Sequence, residues 1–502
     1  MLQCPAMYER LDFEPVRGMR DHLPADQTRL HALRDTLERV LDDWGYEPID
    51  LPVLERRELY LKKSGEELVG KLYDFVHSGR TLALRPEWTA SVLRAYLKSL
   101  QSDPLPVRLR YAGPVFRYER PQRITYRQFT QVGVELIGGA APRGDAEIIA
   151  LACRGLREAG ATGWTLTIGH VGIARALLAG LKLPERIASQ LLWSMERLRR
   201  GDEQGLRAQL QAEHQPDTFE LGPLVDLPDE QLSELLTGTM RAMGLSLENS
   251  SRSPEAVVER LIRKLRRADP QPRIEQALQS LQRLSQARGA PAYALRVATD
   301  LLGELGLGLE HIAELRAIID LVVEQGIEPP QLIVDLGLSR GLHYYSGMIF
   351  EIESDGSSGA GMQLCGGGRY DDLVGALQPG GARRLNVPAV GFAYGLERVA
   401  AQAPELVTPQ KPLLMVAAPE AGYALAMRAA AALRERGFRV LLDARDRSPQ
   451  ANLRDAERRG CRALVTASGS GDDHDLVWHT LGDSREHGER RLSWNDLLEL
   501  QP

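Results

Sequence analysis

The hydrophobic pattern changes period along this chain, and the changes mark its elements. Between Asp26 and Trp44, Leu30, Leu33, Leu37 and Leu41 recur at helical spacing, one face of an amphipathic helix. Gly45-Tyr46-Glu47-Pro48 breaks it, and residues 49–53 read as a strand. Residues 59–68 predict a helix with a loop or cap at 64–67, and residues 73–75 and 81–85 predict a hairpin. Arg85-Pro86-Glu87-Trp88-Thr89 ends that hairpin and opens a helix over 90–100; proline suits a helix start because its missing N–H has no partner there. Residues 107–111 read as a strand and Gly113-Pro114 as a turn, and two further strands, from Val115 and up to Glu135, are joined by a loop through Arg123-Ile124-Thr125. A helix over 144–158 and a strand over 166–168 follow, and Gly169-His170-Val171-Gly172 opens another helix.

From about 183 to 327 the chain is helix after helix, with a break at 249–253. Then the period returns to two. An apolar run at 332–336 meets a Ser-Arg-Gly turn, an aromatic strand spans 344–352, and Gly366-Gly367-Gly368 runs into Arg369 and Tyr370. Three consecutive glycines point to a close backbone approach. Residues 387–399 give a short strand and a helix carrying Arg398 near its start. An Ala/Pro-rich stretch at 401–412 marks a domain boundary. Beyond it strands (413–417, 438–442, 463–466 and an edge strand at 476–479) alternate with helices (423–436, 449–459), predicting a small, mostly parallel sheet.

Composition narrows the class. The 502 residues suffice for two to four domains, and a net charge of -6 gives no global basic field for nucleic acid. Cys4, Cys153, Cys365 and Cys461 are far apart, with no metal-ligand spacing, as expected of a reducing, cytoplasmic setting. No apolar run is long enough for a membrane span, so no membrane partner is expected.

Candidate chemistry concentrates in two places. Arg117, Glu119, Arg127, Gln131 and Glu135 all carry odd numbers, so within each strand period two puts them on one face. A solvated face is the plain alternative. The functional reading is a site for a ligand with an anionic end, gripped by arginine, and a cationic or N–H end, held by Glu or Gln. The aromatic strand pair with Tyr344, Tyr345 and Tyr370 would close such a pocket. Glu87 reads equally as a site carboxylate or as a first-turn residue favouring the helix dipole. His170 reads as a cap or packing residue, and the arginine clusters 197–200 and 260–267 as solvated helix faces.

Together these residues resemble the class II histidyl-tRNA synthetases and their paralogue, the regulatory subunit of ATP phosphoribosyltransferase. Phe116-Arg117-Tyr118-Glu119 with Arg127 is similar to class II motif 2, and Gly395-Leu396-Glu397-Arg398 to motif 3. Arg340-Gly341-Leu342-His343-Tyr344-Tyr345 and Gly367-Gly368-Arg369-Tyr370 resemble the two histidine-specific motifs. The resemblance implies an α+β fold: an antiparallel six- or seven-stranded sheet with flanking helices and a homodimeric core, plus a C-terminal α/β domain like the anticodon-binding domain. It divides the chain into core (1–182), helical insertion (183–327), returning core (328–402) and C-terminal domain (412–502). By position it implies a histidine pocket of Glu87, Trp88, Thr89, Arg117, Gln131, Glu135, Arg340, Tyr344, Tyr345 and Tyr370.

Two functions follow from the resemblance. In a histidine–tRNA ligase, Arg117, Glu119, Arg127 and Arg398 would hold ATP with Mg, Arg340 would assist attack on the α-phosphate, and tRNA would be the partner. In the regulator there is no catalysis and no cofactor. L-histidine reports pathway output, and the partner is a short-form catalytic subunit of ATP phosphoribosyltransferase. His343, the loop at Arg123-Ile124-Thr125, and Trp88, large enough to crowd the pocket, resemble the regulator. The C-terminal domain resembles the ligase, although Arg447-Ser448-Pro449-Gln450 and Trp478-His479-Thr480 lack its lysines. On these residues the regulator is the leading expectation and the ligase the alternative.

Overall fold

The computed structural model describes residues 14–62, 70–120, 124–213, 228–242, 258, 271–327, 330–338, 344–355, 361–378, 385–404, 411–469, 475–481 and 488–502. The chain forms two units, residues 1–406 and 407–502.

The first unit contains α1 (Pro24–Asp43), β1 (Glu47–Pro48), β2 (Leu54–Arg56), α2 (Arg57–Leu61), β3 (Asp74–His77), β4 (Arg80–Leu84), α3 (Thr89–Ala95), β5 (Val107–Phe116), β6 (Gln128–Ile137), α4 (Arg143–Glu158), β7 (Trp164–His170) and α5 (Val171–Gly180). Helices α6 (Glu185–Trp193), α7 (Met195–Arg199), α8 (Glu203–Glu213), α9 (Asp229–Ala242), α10 (Gln271–Ser285), α11 (Pro291–Glu304) and α12 (Glu310–Val323) follow, with β8 (Arg288–Gly289) between α10 and α11. The unit closes with β9 (Leu332–Asp335), β10 (Met348–Ser354), β11 (Gln363–Arg369), α13 (Asp371–Leu377), β12 (Ala389–Gly395) and α14 (Leu396–Gln402).

Nine strands make one sheet in the order β1-β5-β6-β12-β11-β10-β7-β9-β8. Its body, β5 to β7, is antiparallel throughout; β1 on β5 and β9 on β7 are the parallel additions. The predicted antiparallel sheet is therefore six strands of a larger one. Strand β5 also runs straight through Gly113-Pro114, where the sequence suggested a turn. β1 covers only Leu109 and Arg110, so the outer side of β5 has no strand beside it at Pro114. Phe116, two residues on, points its N–H outward to the Arg85 carbonyl, so the N–H that Pro114 lacks belongs to that uncovered edge.

Alternation gives the sheet two different faces. On the rear, Val132, Val134, Phe392 and Tyr394 pack into one core with Leu33, Leu37 and Leu41 of α1 and Ile149 and Leu156 of α4. Leu191 of α6, Leu281 of α10 and Ile319 of α12 belong to that same core, so the helical region shares the hydrophobic interior of the sheet. On the front, Leu109, Tyr111 and Val115 pack with Trp88, with Val92 and Leu93 of α3, and with Tyr370, Leu373 and Val374 around α13. Cys153 and Cys365 are buried and unbridged, and burial pushes the Cys153 thiol up to about 12. Among the described residues no helix is long and apolar enough to cross a membrane.

The second unit contains β13 (Leu413–Ala417), α15 (Tyr423–Glu435), β14 (Arg439–Leu442), α16 (Pro449–Arg458), β15 (Ala463–Ala467), β16 (Leu476–Thr480), β17 (Glu489–Leu492) and α17 (Trp494–Glu499). Its sheet runs β14-β13-β15-β16-β17. Only β13 pairs in parallel, with β14 and β15, while β16 is antiparallel to both its neighbours. The expected edge strand at 476–479 is thus interior, and the sheet is mixed. Strand β17, Glu-Arg-Arg-Leu, has no apolar alternation to announce it. A capping box, in which Ser493 and Asp496 satisfy each other's backbone N–H, starts α17.

Candidate functional site

The front face of β5 and β6 brings several of the predicted residues together, around a buried carboxylate. Glu135, 1% exposed, accepts hydrogen bonds from the hydroxyls of Tyr111 (3.2 Å) and Tyr370. Burial, reinforced by Glu135, pushes both hydroxyls well above the usual tyrosine range, so each remains a donor at any ordinary pH. A Cβ on Gly391 of the adjacent strand would collide with the Glu135 carboxylate, so glycine there lets the acid lie flat on the sheet.

Aromatic rings wall this centre. Trp88 is 1% exposed and stacks on Tyr111, with centroids 4.9 Å apart and planes 10° apart. The Arg85 guanidinium covers the indole ring at 3.5 Å from its centroid and donates to the carbonyls of Pro114 and Leu51. Trp88 is thus fixed as wall. Tyr344 and Tyr345 lie 4.3 Å apart, and Tyr344 is 6.5 Å from Tyr370. The Tyr345 ring passes 2.8 Å from where a Cβ on Gly368 would stand. That is the close approach which the glycine run announced. Burial and the neighbouring Tyr344 push the Tyr345 hydroxyl well up.

Two buried polar atoms here have no hydrogen-bond partner among the described residues: Trp88 Nε1, a donor, and Gln131 Oε1, an acceptor. Gln131 stands opposite Gly113 in the ladder, and the Trp88 ring edge lies 2.8 Å from where a Cβ on Gly113 would be. Buried groups left unsatisfied in one neighbourhood are what a ligand site presents before its ligand arrives.

The remaining predicted residues divide. Glu87 is buried and accepts the Ala90 N–H at 3.2 Å in the first turn of α3, and Thr89 is the first residue of that helix. Arg117, Glu119 and Arg127 fall outside β5 and β6, so period two does not place them. Arg117 donates Nε to the Pro86 carbonyl (2.8 Å) and lies over Phe129; Arg127 donates to the carbonyls of Glu119 (3.1 Å) and Arg17 (3.0 Å) and lies over Tyr118. Neither forms an ion pair among the described residues. Glu119 stands 3.7 Å from Lys71. Glu397 accepts the Thr130 N–H, and Arg398 donates to the Gln363 carbonyl at 3.3 Å. Arg340 and His343 lie outside the described residues. Arg369 turns to the rear, to Asp145 (2.6 Å), and takes no part in the pocket.

Tyr111 and Arg85 contact this cluster without having been singled out by the sequence. Tyr111 was detectable: its parity matches Leu109 and Gly113, and pairing β5 with β6 puts that face beside Gln131 and Glu135. Arg85 carried no such signal, because it lies outside any regular strand.

Comparison with known proteins fits this architecture. The family model described as histidyl-tRNA synthetase matches residues 18–232 and 225–399, and the anticodon binding domain model matches 413–468. The histidine–tRNA ligase of Archaeoglobus fulgidus is 31% identical over 456 residues, 91% of this chain and 91% of its own. That of Methanococcus maripaludis is 28% identical over 492 residues, 97% and 99% of the two chains. In fold, the chain is similar to the ATP phosphoribosyltransferase regulatory subunit/histidyl-tRNA synthetase from Bacillus halodurans (TM-score 0.62, 24% identity, 91% and 98% coverage). It is equally similar to the apo histidyl-tRNA synthetase of S. aureus (TM-score 0.61, 22% identity, 97% and 99% coverage). The class II synthetase-like core, the C-terminal anticodon-binding domain and the family-wide match place this chain in the histidyl-tRNA synthetase family.

Proposed function

We propose that this protein is a histidine–tRNA ligase, which activates histidine with ATP and transfers it to tRNA. The order of the two expectations is thereby reversed. The observation that carries the reading is the full-length match to proteins named histidine–tRNA ligase, which extends through both units. The departures at Arg123-Ile124-Thr125, Trp88 and the C-terminal lysine positions favoured the regulator, and Trp88 loses its weight because it is packed into the wall.

In this reading Glu135, held by Tyr111 and Tyr370, takes the cationic end of histidine. Gln131 Oε1 and Trp88 Nε1 supply an acceptor and a donor, and Tyr344, Tyr345, Glu87 and Thr89 complete the pocket. Arg117 and Arg127 hand their N–H groups to carbonyl oxygens and keep their positive charge for phosphate; Glu119 and Arg398 complete the ATP site. Mg enters with ATP as its counter-ion. The histidine carboxylate attacks the α-phosphate and pyrophosphate leaves, with Arg340 assisting. Such chemistry is positioning and charge neutralisation. A homodimeric core follows from the class II architecture.

Purified protein is expected to catalyse histidine-dependent ATP–pyrophosphate exchange and to charge a histidine tRNA transcript, and Arg398→Ala is expected to lose both. Absence of exchange in a preparation that binds histidine would overturn the ligase reading and return the pocket to sensing.

A further inference from the structure

We propose that His170 and His311 form a binding site for a divalent transition metal, zinc in the first instance, with Glu314 as its supporting carboxylate. The site lies outside the pocket described above and is not required by the ligase reading.

The three residues come from two elements. His170 is the last residue of β7, and His311 and Glu314 stand one helical turn apart on α12, a spacing that puts both on one face. The His170 and His311 rings lie 5.2 Å apart at 37°, and one ligand-capable atom from each of the three residues falls within 4.8 Å of the others. His170 is 4% exposed. Its Nε2 meets Glu314 Oε1 at 3.0 Å. A carboxylate only accepts, so Nε2 carries the proton and Nδ1 presents its lone pair. That Nδ1 is buried and has no partner among the described residues. A buried pair built only to hold β7 against α12 gives no reason for a second ring nitrogen to be left bare.

A glycine stands beside the two rings. A Cβ on Gly172 would stand 2.8 Å from His170 Cε1, 2.9 Å from His311 Nδ1 and 3.0 Å from His170 Nδ1. Gly172 thus lets the Nδ1–Cε1 edge of His170 and Nδ1 of His311 close in beside the start of α5, where a side chain would push the two rings away. Zinc–imidazole bonds are about 2.0–2.1 Å, so ligand atoms up to 4.8 Å apart must draw together on the ion. Two imidazoles favour zinc, copper, nickel or cobalt over magnesium or calcium. Glu314 orients His170 through Nε2, the usual service of a carboxylate to a metal-bound histidine. His311 and Glu314 are only half-buried, which leaves a path from solvent and room for water as further ligands. Because Val171 donates its N–H to the Gly347 carbonyl and Met348 pairs with His170, a bound ion would also pin the root of the segment carrying Tyr344 and Tyr345.

The test uses untagged, full-length protein stripped with EDTA and titrated with Co²⁺ without histidine. One saturable equivalent is expected, giving visible d–d absorption that Zn²⁺ displaces, and Zn²⁺ should raise the melting temperature. His311→Ala should weaken Co²⁺ binding at least about tenfold, and Gly172→Ala should do so while keeping both imidazoles; Glu314→Gln should weaken it about 10- to 100-fold. Far-UV circular dichroism identifies any variant that fails to fold, and the other two then carry the test. No saturable Co²⁺ binding, or binding that folded variants leave unchanged, overturns the proposal.

Discussion

The two faces of the central sheet both carry polar residues, and they treat them in opposite ways. On the rear the arginines of β5 and β11 end on carboxylates: Arg108 on Glu147 at 2.9 Å, Arg110 on Glu38 and Asp42, and Arg369 on Asp145. On the front, Trp88 Nε1 and Gln131 Oε1 are buried without hydrogen-bond partners. The rear arginines find their partners inside the fold, whereas the front keeps an indole N–H and an amide oxygen without one among the described residues. A polar residue on a strand is therefore no sign of function by itself. Whether the fold satisfies it is what separates structure from site.

The contrast breaks most sharply at Asp145. Its side chain and that of Arg369 are almost fully buried, and Arg369 also donates to the Gly139 carbonyl and to Asp371. Asp145→Ala leaves a buried guanidinium with half its partners, at a cost of about 3–5 kcal/mol. Urea unfolding of the first unit should show that loss. A cost under about 1 kcal/mol would mean that rear-face pairing is dispensable.

Gln131→Leu should do the reverse. It removes an acceptor that has no intramolecular partner, so stability should hold or rise slightly. A hydrogen bond to a charged ligand is worth about 1.5–3 kcal/mol, so histidine-dependent exchange should fall about 10- to 100-fold in kcat/KM. Trp88→Phe keeps most of the stack on Tyr111 and deletes only the indole N–H, and should cost about tenfold or less. A stable Gln131→Leu protein with unchanged exchange would sink the claim that the orphaned atoms await histidine.

How much of this was legible depended on whether a feature is local. Leu30, Leu33, Leu37 and Leu41 announce α1 because one face of one helix is enough to bury them. That Gln131 and Glu135 share a face, and that Tyr370 follows a close backbone approach, was legible because period two and the glycine run are written in adjacent residues. Pro114 misled because its tolerance depends on how little of β5 the two-residue strand β1 covers, which is a tertiary fact. Arg369 follows the glycine run directly, yet its partner Asp145 is 224 positions away in the chain. Asp145 and Glu147 lie at the start of α4, and each meets an arginine from a distant strand. His311 and Glu314 lie in a helical stretch that reads as bland, since their meaning appears only beside His170.

The smallest expected effect tests the rear face where water reaches it. Arg108 and Glu147 make a two-pronged pair, Nε to Oε1 and Nη2 to Oε2, both at 2.9 Å, but the side chains remain 31% and 26% exposed. Solvent screens such a pair, and Tyr46 still donates to Glu147 Oε1 at 2.8 Å when the arginine is gone. Arg108→Ala should therefore cost only about 0.5–1 kcal/mol, and less in high salt, where exposed charges are screened. Exchange activity should not change, because the side chain points away from Glu135 through the thickness of the sheet. Should Arg108→Ala lower exchange while leaving the unfolding midpoint in place, the two faces would be coupled, and satisfaction on the rear would be part of how the front is poised.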